Sequence, residues 1–221
     1  MLDVFLPQRC AGCQTPGPPL CPSCTAELTS RPALRMPVPA PAGLPECWSA
    51  GDYSGAARRA VLAYKEQGRT SLAGPLALAL AFTMTRALGR EGPVLVVPVP
   101  SARGTLRARG HDPVGRLAAL ATRHLRALGR PAVLCRALTQ VRKVGDQAGL
   151  SSTERAANLH ASLGLTRAGK SALNGRTGPP VVIVDDVVTT GATLAEAARA
   201  LRAAGASVRL AATVTATRRR S

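Results

Sequence analysis

Aromatic side chains are almost missing from this chain of 221 residues: Phe, Trp and Tyr together make up 2%. Stacking platforms for single-stranded nucleic acid are therefore sparse. Lysine is scarce too, present only as Lys65, Lys143 and Lys170, so arginine carries most of the positive charge. Acidic residues number 12 against 29 basic ones, and the net charge is +17. Such a balance favours anionic partners: nucleic acid, phosphorylated metabolites or an anionic membrane surface. A biased base composition, which would also explain the abundant alanine and glycine, accounts for the same numbers. No long apolar run stands out. Leu76 to Phe82 is apolar, but Thr83, Thr85 and Arg86 end it too soon for a membrane span. Residues 1–7 lack the charged region and long apolar core of a signal peptide. The expectation is a cytoplasmic protein without membrane insertion.

What is present begins with cysteine. Cys10 and Cys13, then Cys21 and Cys24, form two C-x-x-C pairs separated by Pro16-Gly17-Pro18-Pro19. Each pair can present two thiolates from a tight turn, and two pairs complete a tetrahedral Zn²⁺ site. Disulfides are the alternative, disfavoured in a cytosolic protein. A thioredoxin-type redox pair is weaker still, since no βαβ pattern surrounds it. Cys47 and Cys135 stand alone, the latter expected as a buried strand residue. Residues 31–46 contain Pro32, Pro37, Pro39, Pro41 and Pro45, a stiff extended composition. The expected organisation is a zinc-binding module at 1–30, a proline-rich linker at 31–46 and one main domain at 47–221.

The main domain is organised around residues 181–194, Val-Val-Ile-Val-Asp-Asp-Val-Val-Thr-Thr-Gly-Ala-Thr-Leu. Four β-branched residues without alternation fit a strand buried on both faces, as in a parallel sheet. Asp185 and Asp186 follow, then Thr189, Thr190, Gly191, Ala192 and Thr193. Residues 195–204 are rich in helix formers and end before Gly205. A loop between a strand end and a helix N-terminus suits an anion. Threonine hydroxyls and backbone N–H groups suit a phosphate. The two carboxylates suit vicinal ribose hydroxyls and lie where a Mg²⁺ could sit nearby. A buried strand, a solvated acidic turn and a threonine N-cap is the plainer reading, though it does not require this order of residues. The order resembles the 5-phosphoribosyl-1-pyrophosphate (PRPP) motif of type I phosphoribosyltransferases.

Elsewhere the patterns are those of an α/β domain. Helices are expected over residues 56–67, with Ala60, Val61 and Tyr64 on one face, over 72–88 and over 114–128. Strands are expected at 94–100, 133–138 and 208–217. Ser101, Ala102, Arg103 and Gly104 follow the first of these, with Arg107 and Arg109 beyond. Such a loop can hold a pyrophosphate or be a solvated basic turn. Residues 140–149 read as a flap or an ordinary surface loop, 151–159 as a capped helical turn, and 218–220 as a basic tail. Gly164 to Ser171 satisfies the Walker A pattern, but too few residues follow for a substantial helix, and a loop between two strands is the better reading.

The whole order resembles the ComF family of phosphoribosyltransferase-like proteins, linked with competence for DNA uptake. The resemblance rests on the C-x-x-C pairs, on Tyr53, Gly55 and Lys65, and on Val97 to Pro100 with Arg109-Gly110. It continues through Gln147, Leu150, Glu154-Arg155 and Asn158 to the motif at 181–194. The chain departs from the family at His111-Asp112-Pro113 and in its few cysteines after the first four. The resemblance implies a type I phosphoribosyltransferase-like parallel sheet flanked by helices. It implies Asp185 and Asp186 as catalytic residues, and PRPP held by residues 189–193 together with Ser101, Ala102 and Arg103. Structural zinc, and Mg²⁺ accompanying PRPP, are the implied cofactors. DNA and competence helicase machinery are the implied partners, with a second copy of the chain as a further candidate. Phosphoribosyl transfer to a nitrogen acceptor is the expected activity. A non-catalytic DNA-binding competence protein and a PRPP-sensing regulator are the alternatives.

Overall fold

The computed structural model describes residues 8–89, 92–101, 112–142, 161–173 and 178–217. The remaining residues take with them Ala102, Arg103, Arg107, Arg109-Gly110 and His111, most of the expected flap, the 151–159 turn and the basic tail.

In chain order the elements are α1 (Pro22–Thr29), β1 (Ala33–Leu34), β2 (Cys47–Asp52), α2 (Gly55–Lys65), a 3₁₀ turn (Thr70–Leu72) and α3 (Ala73–Leu88). Then come β3 (Val94–Pro98), α4 (Pro113–Ala127), β4 (Ala132–Leu134), β5 (Leu138–Gln140) and β6 (Leu163–Leu165). The last are α5 (Arg167–Leu173), β7 (Val181–Val188), α6 (Ala192–Ala203) and β8 (Val208–Ala216). The main sheet runs β1-β2-β8-β7-β3-β4, and only β1 is antiparallel to its neighbour. This is the expected α/β fold with a mostly parallel sheet flanked by helices.

β7 sits in the middle because it can be covered on both sides. Val181, Val182, Ile183 and Val184 are each fully buried. Val182 and Val184 share a core with Tyr64 of α2, Leu76, Leu80 and Met84 of α3 and Leu117 and Leu125 of α4. Val181 and Ile183 face the other way, into a core with Leu194, Ala197, Ala198 and Leu201 of α6. Parallel pairing puts the carboxyl ends of β2, β8, β7, β3 and β4 on one edge, where such sheets place their ligands.

Residues Thr70–Leu88 form a 19-residue helical stretch with mean hydropathy 1.3, long and apolar enough by length and composition to cross a membrane. Half of it is buried in the fold, and α3 packs on α4, β2 and β8. It is a core helix, whose inward residues are enclosed by protein.

Several boundaries differ from expectation. The strand expected at 133–138 is two: β4 in the main sheet and β5 in a separate antiparallel pair with β6. After Cys135 donates to the carbonyl oxygen of Val96, the chain leaves the sheet, and Cys135 is buried outside any strand. β7 continues through both acids to Val188, because β8 pairs with it as far as Ala216. α6 starts at Ala192, three residues early, with Gly191 as its N-cap. The Walker-like stretch runs into a seven-residue helix, α5, instead of a loop. There Gly169 lies so close to Ala137 that a Cβ would meet its carbonyl oxygen at 2.4 Å. That glycine serves close backbone packing. β2 carries no periodic signal in its sequence Cys-Trp-Ser-Ala-Gly-Asp, and its pairing with β8 makes it a strand.

Candidate functional site

The carboxyl end of β7 brings Asp185 and Asp186 to the ligand edge in unlike surroundings. Asp186 is 2% exposed and meets a lysine from a distant element: Lys65, at the end of α2, lies 3.0 Å from its Oδ1 and 2.8 Å from its Oδ2. Asp185 is only partly buried, and its Oδ1 accepts the Asp186 backbone N–H at 2.8 Å. Enclosure, and then the Asp186 carboxylate beside it, push the Asp185 carboxyl up to about 8; Lys65 and the backbone N–H pull the other way. In the sequence, Lys65 stands out only through the resemblance stated above. Its partner is 121 residues away, so no local pattern announces the pair.

Beyond the acids, the chain turns into α6 through Thr189, Thr190 and Gly191. Gly191 adopts φ 75°, a left-handed conformation that L side chains rarely take. Its Cα also sits against the 31–46 segment: a Cβ there would lie 2.8 Å from Leu44 Cδ2 and 3.0 Å from Pro37 Cγ. Thr190 Oγ1 accepts the Ala192 N–H at 3.4 Å. Thr189 is exposed, Thr190 and Thr193 are half-buried, and Ala192 is buried. A cavity of about 340 Å³ opens beside Thr189 and Thr190, walled by residues 34–39 and by Thr217. The proline-rich stretch thus borders the threonine loop. Arg35 fastens it to β2, donating to Asp52 Oδ1 at 2.9 Å and to the Ser49 carbonyl at 2.7 Å.

Ser101, after β3, lies on the same edge. Its hydroxyl donates to Asp112 Oδ1 at 3.3 Å. Asp112 also caps α4 by accepting the Gly115 N–H at 3.0 Å, and it pairs with Arg136 in the connection from β4 to β5. The departure at 112 therefore supplies a helix cap and an ion-pair partner. Pro98, Ser101, Asp112, Arg136, Gln140 and Thr166 line a cavity of about 230 Å³. The candidates Ala102 and Arg103 lie outside the described residues. The β5–β6 pair is tied to α6 through Glu196, whose Oε1 accepts the Leu163 N–H at 3.0 Å and whose Oε2 pairs with Arg199 at 2.7 Å. Sequence reasoning missed Asp112, Arg136 and Glu196 as supports of this edge, since each acts through tertiary contacts.

The second cluster is at the N-terminus. The sulfur atoms of Cys10, Cys13, Cys21 and Cys24 lie within 4.8 Å of one another, and none forms a disulfide. Four thiolates around Zn²⁺ at about 2.3 Å would stand about 3.8 Å apart; Cys13 and Cys21 already lie at 3.7 Å. Burial alone would raise Cys10, but backbone N–H donors outweigh it and bring the thiol down to about 6; Gly12 and Cys21 each donate to its sulfur at 3.3 Å. Burial, and then the neighbouring cysteines, push Cys24 up. A cluster in which some thiols ionise readily and another resists needs a cation to hold all four as ligands. These residues could hold a metal such as zinc.

The cysteine segment is joined to the main core. Cys10, Cys24 and Leu28 share it with Tyr64 and Leu76. Arg59 of α2 donates to the Gly12 carbonyl at 2.6 Å, and Arg69 to the Arg9 carbonyl at 2.6 Å.

No curated protein matches the chain. Residues 118–221 match the family model described as the phosphoribosyl transferase domain. The matched residues include β7, both acids, the threonine loop, α6 and β8, whereas Lys65, Ser101 and the four clustered cysteines precede them. The matched stretch is a little under half of the chain.

Proposed function

We propose that the chain binds PRPP with Mg²⁺ and transfers its phosphoribosyl group to a nitrogen acceptor. The observation that carries this reading is the continuity of one structural unit. A central buried strand delivers two acids to the ligand edge, and a left-handed glycine then opens a helix N-terminus. In this reading residues 189–193 hold the 5-phosphate through hydroxyls and backbone N–H groups. Asp185 and Asp186 accept the ribose hydroxyls. Ser101, Ala102 and Arg103 are assigned to the pyrophosphate.

The reaction breaks the bond from C1′ to the pyrophosphate oxygen, whose electron pair leaves with pyrophosphate. A nitrogen lone pair forms the new bond to C1′, and the nitrogen releases its proton. Mg²⁺, when bound, supplies charge neutralisation for the departing pyrophosphate. This chain's residues contribute mainly by holding the ribose and phosphate in position.

The finer reading is a ComF-type protein of the cytoplasm, with structural zinc on the four cysteines and a link to DNA uptake. The net charge of +17 supports DNA as a partner. Pyrophosphate release on mixing with PRPP, Mg²⁺ and a panel of nucleobases and amines tests the activity. Release with at least one acceptor is expected. Tight PRPP binding with no release from any acceptor favours a PRPP-sensing regulator.

A further inference from the structure

We propose that Lys65 is a positioning residue of the ribose site, acting through Asp186. The inference rests on the PRPP reading above and deepens it.

The geometry is unlike that of a surface ion pair. Asp186 is 2% exposed, and the Lys65 ammonium lies within 3.0 Å of both its oxygens. Exposed pairs contribute little, whereas breaking a buried pair leaves an uncompensated charge. Lys65 is the last residue of α2 and reaches the ligand edge while the helix body packs in the core. Its side chain keeps 34% of its surface exposed, so the cation stands at the rim of the site. Composition sharpens the point: a chain with 29 basic residues uses lysine only three times, and one of the three is here. A compact ammonium can meet both oxygens of one carboxylate in a confined space, while a planar guanidinium demands room for its fork.

The consequence is electrostatic as well as geometric. An uncompensated Asp186 carboxylate would repel a polyanionic sugar phosphate. Lys65 cancels that charge and fixes the direction of the Asp186 side chain. The acid pair then receives ribose hydroxyls without opposing the phosphates.

The test is a double-mutant cycle read by PRPP·Mg²⁺ affinity, using Lys65→Met, Asp186→Asn and the two together in the full chain. Lys65→Met should weaken binding about 10–100-fold, the range for losing a charge-assisted contact. The double variant should bind no worse than Asp186→Asn alone, because Lys65 acts through that residue. Lys65→Arg, which keeps the charge, should retain more affinity than Lys65→Met. If Lys65→Met fails to fold, Lys65→Gln enters the cycle in its place. A purely structural lysine would lower the melting temperature and leave the affinity of the folded protein unchanged, which would overturn the proposal. Multiplying losses in the double variant would overturn it too. Failure of the wild-type protein to bind PRPP would overturn the functional reading, and this inference with it.

Discussion

Arg59 Nε donates to the carbonyl oxygen of Gly12 at 2.6 Å, joining α2 to the turn between Cys10 and Cys13. The same helix ends in Lys65, in contact with Asp186. The cysteine turn and the acid pair therefore share one helix as their support.

Protein purified without chelator should contain one Zn²⁺ per chain by elemental analysis. Cys24→Ser should lose it, because Cys24 is 6% exposed and its sulfur is one of the four in the cluster. Hydrogen exchange should then speed up first in residues 8–30 and next in α2, since metal binding supplies local folding energy. Unchanged protection in a metal-free protein would show that the cysteines stabilise nothing.

Gly191→Ala should destabilise the threonine loop by about 1–2 kcal/mol from the left-handed backbone alone. The steric approach of Leu44 and Pro37 adds to that cost. Chemical denaturation measures the loss, and PRPP affinity should fall with it. A neutral substitution would mean that the 31–46 segment yields freely.

Asp185 gives stability a pH dependence of known sign. Its folded value is about 8 against an ordinary 3.8, so between these values the folded state holds a proton that the unfolded state releases. Stability from this group is fully present below about 4 and is lost as pH rises towards 8. Asp185→Asn removes that loss. Relative to wild type, the variant should become progressively more stable from pH 5 to pH 9 in urea titrations. A difference that stays constant across that range would contradict the assignment.

DNA binding, if the charge drives it, should weaken steeply with salt and depend little on sequence, because counterion release supplies the affinity. A fluorescence titration at several salt concentrations reads the slope. No binding at low salt would make the arginines compositional.

Much of this was legible in the sequence, for identifiable reasons. The run at 181–184 is apolar without alternation because α6 covers one face and α2, α3 and α4 the other. The helix expected over 72–88 is α3, whose Leu76, Leu80 and Met84 at helical spacing are buried, and the cysteine spacing announced the cluster. β2 was hidden because its strand character comes from β8, as in the buried contact at 2.6 Å between Ser49 Oγ and Thr213 Oγ1. The 133–138 stretch misled because its apolar residues serve two sheets. Lys65, Arg136 and the contact of Glu196 with Leu163 could not be placed, since those partners are tertiary.

The most direct measurement is a calorimetric titration of the 221-residue chain with PRPP, with and without Mg²⁺, beside Asp185→Asn/Asp186→Asn and Thr190→Val. The account predicts Mg²⁺-dependent binding by wild type. The double acid variant should lose about 1.5–3 kcal/mol per charge-assisted hydrogen bond removed, along with much of the Mg²⁺ dependence. Thr190→Val should weaken binding through the phosphate and keep the Mg²⁺ dependence. Absence of PRPP binding by wild type with Mg²⁺ present, or equal affinity in all three proteins, would contradict it.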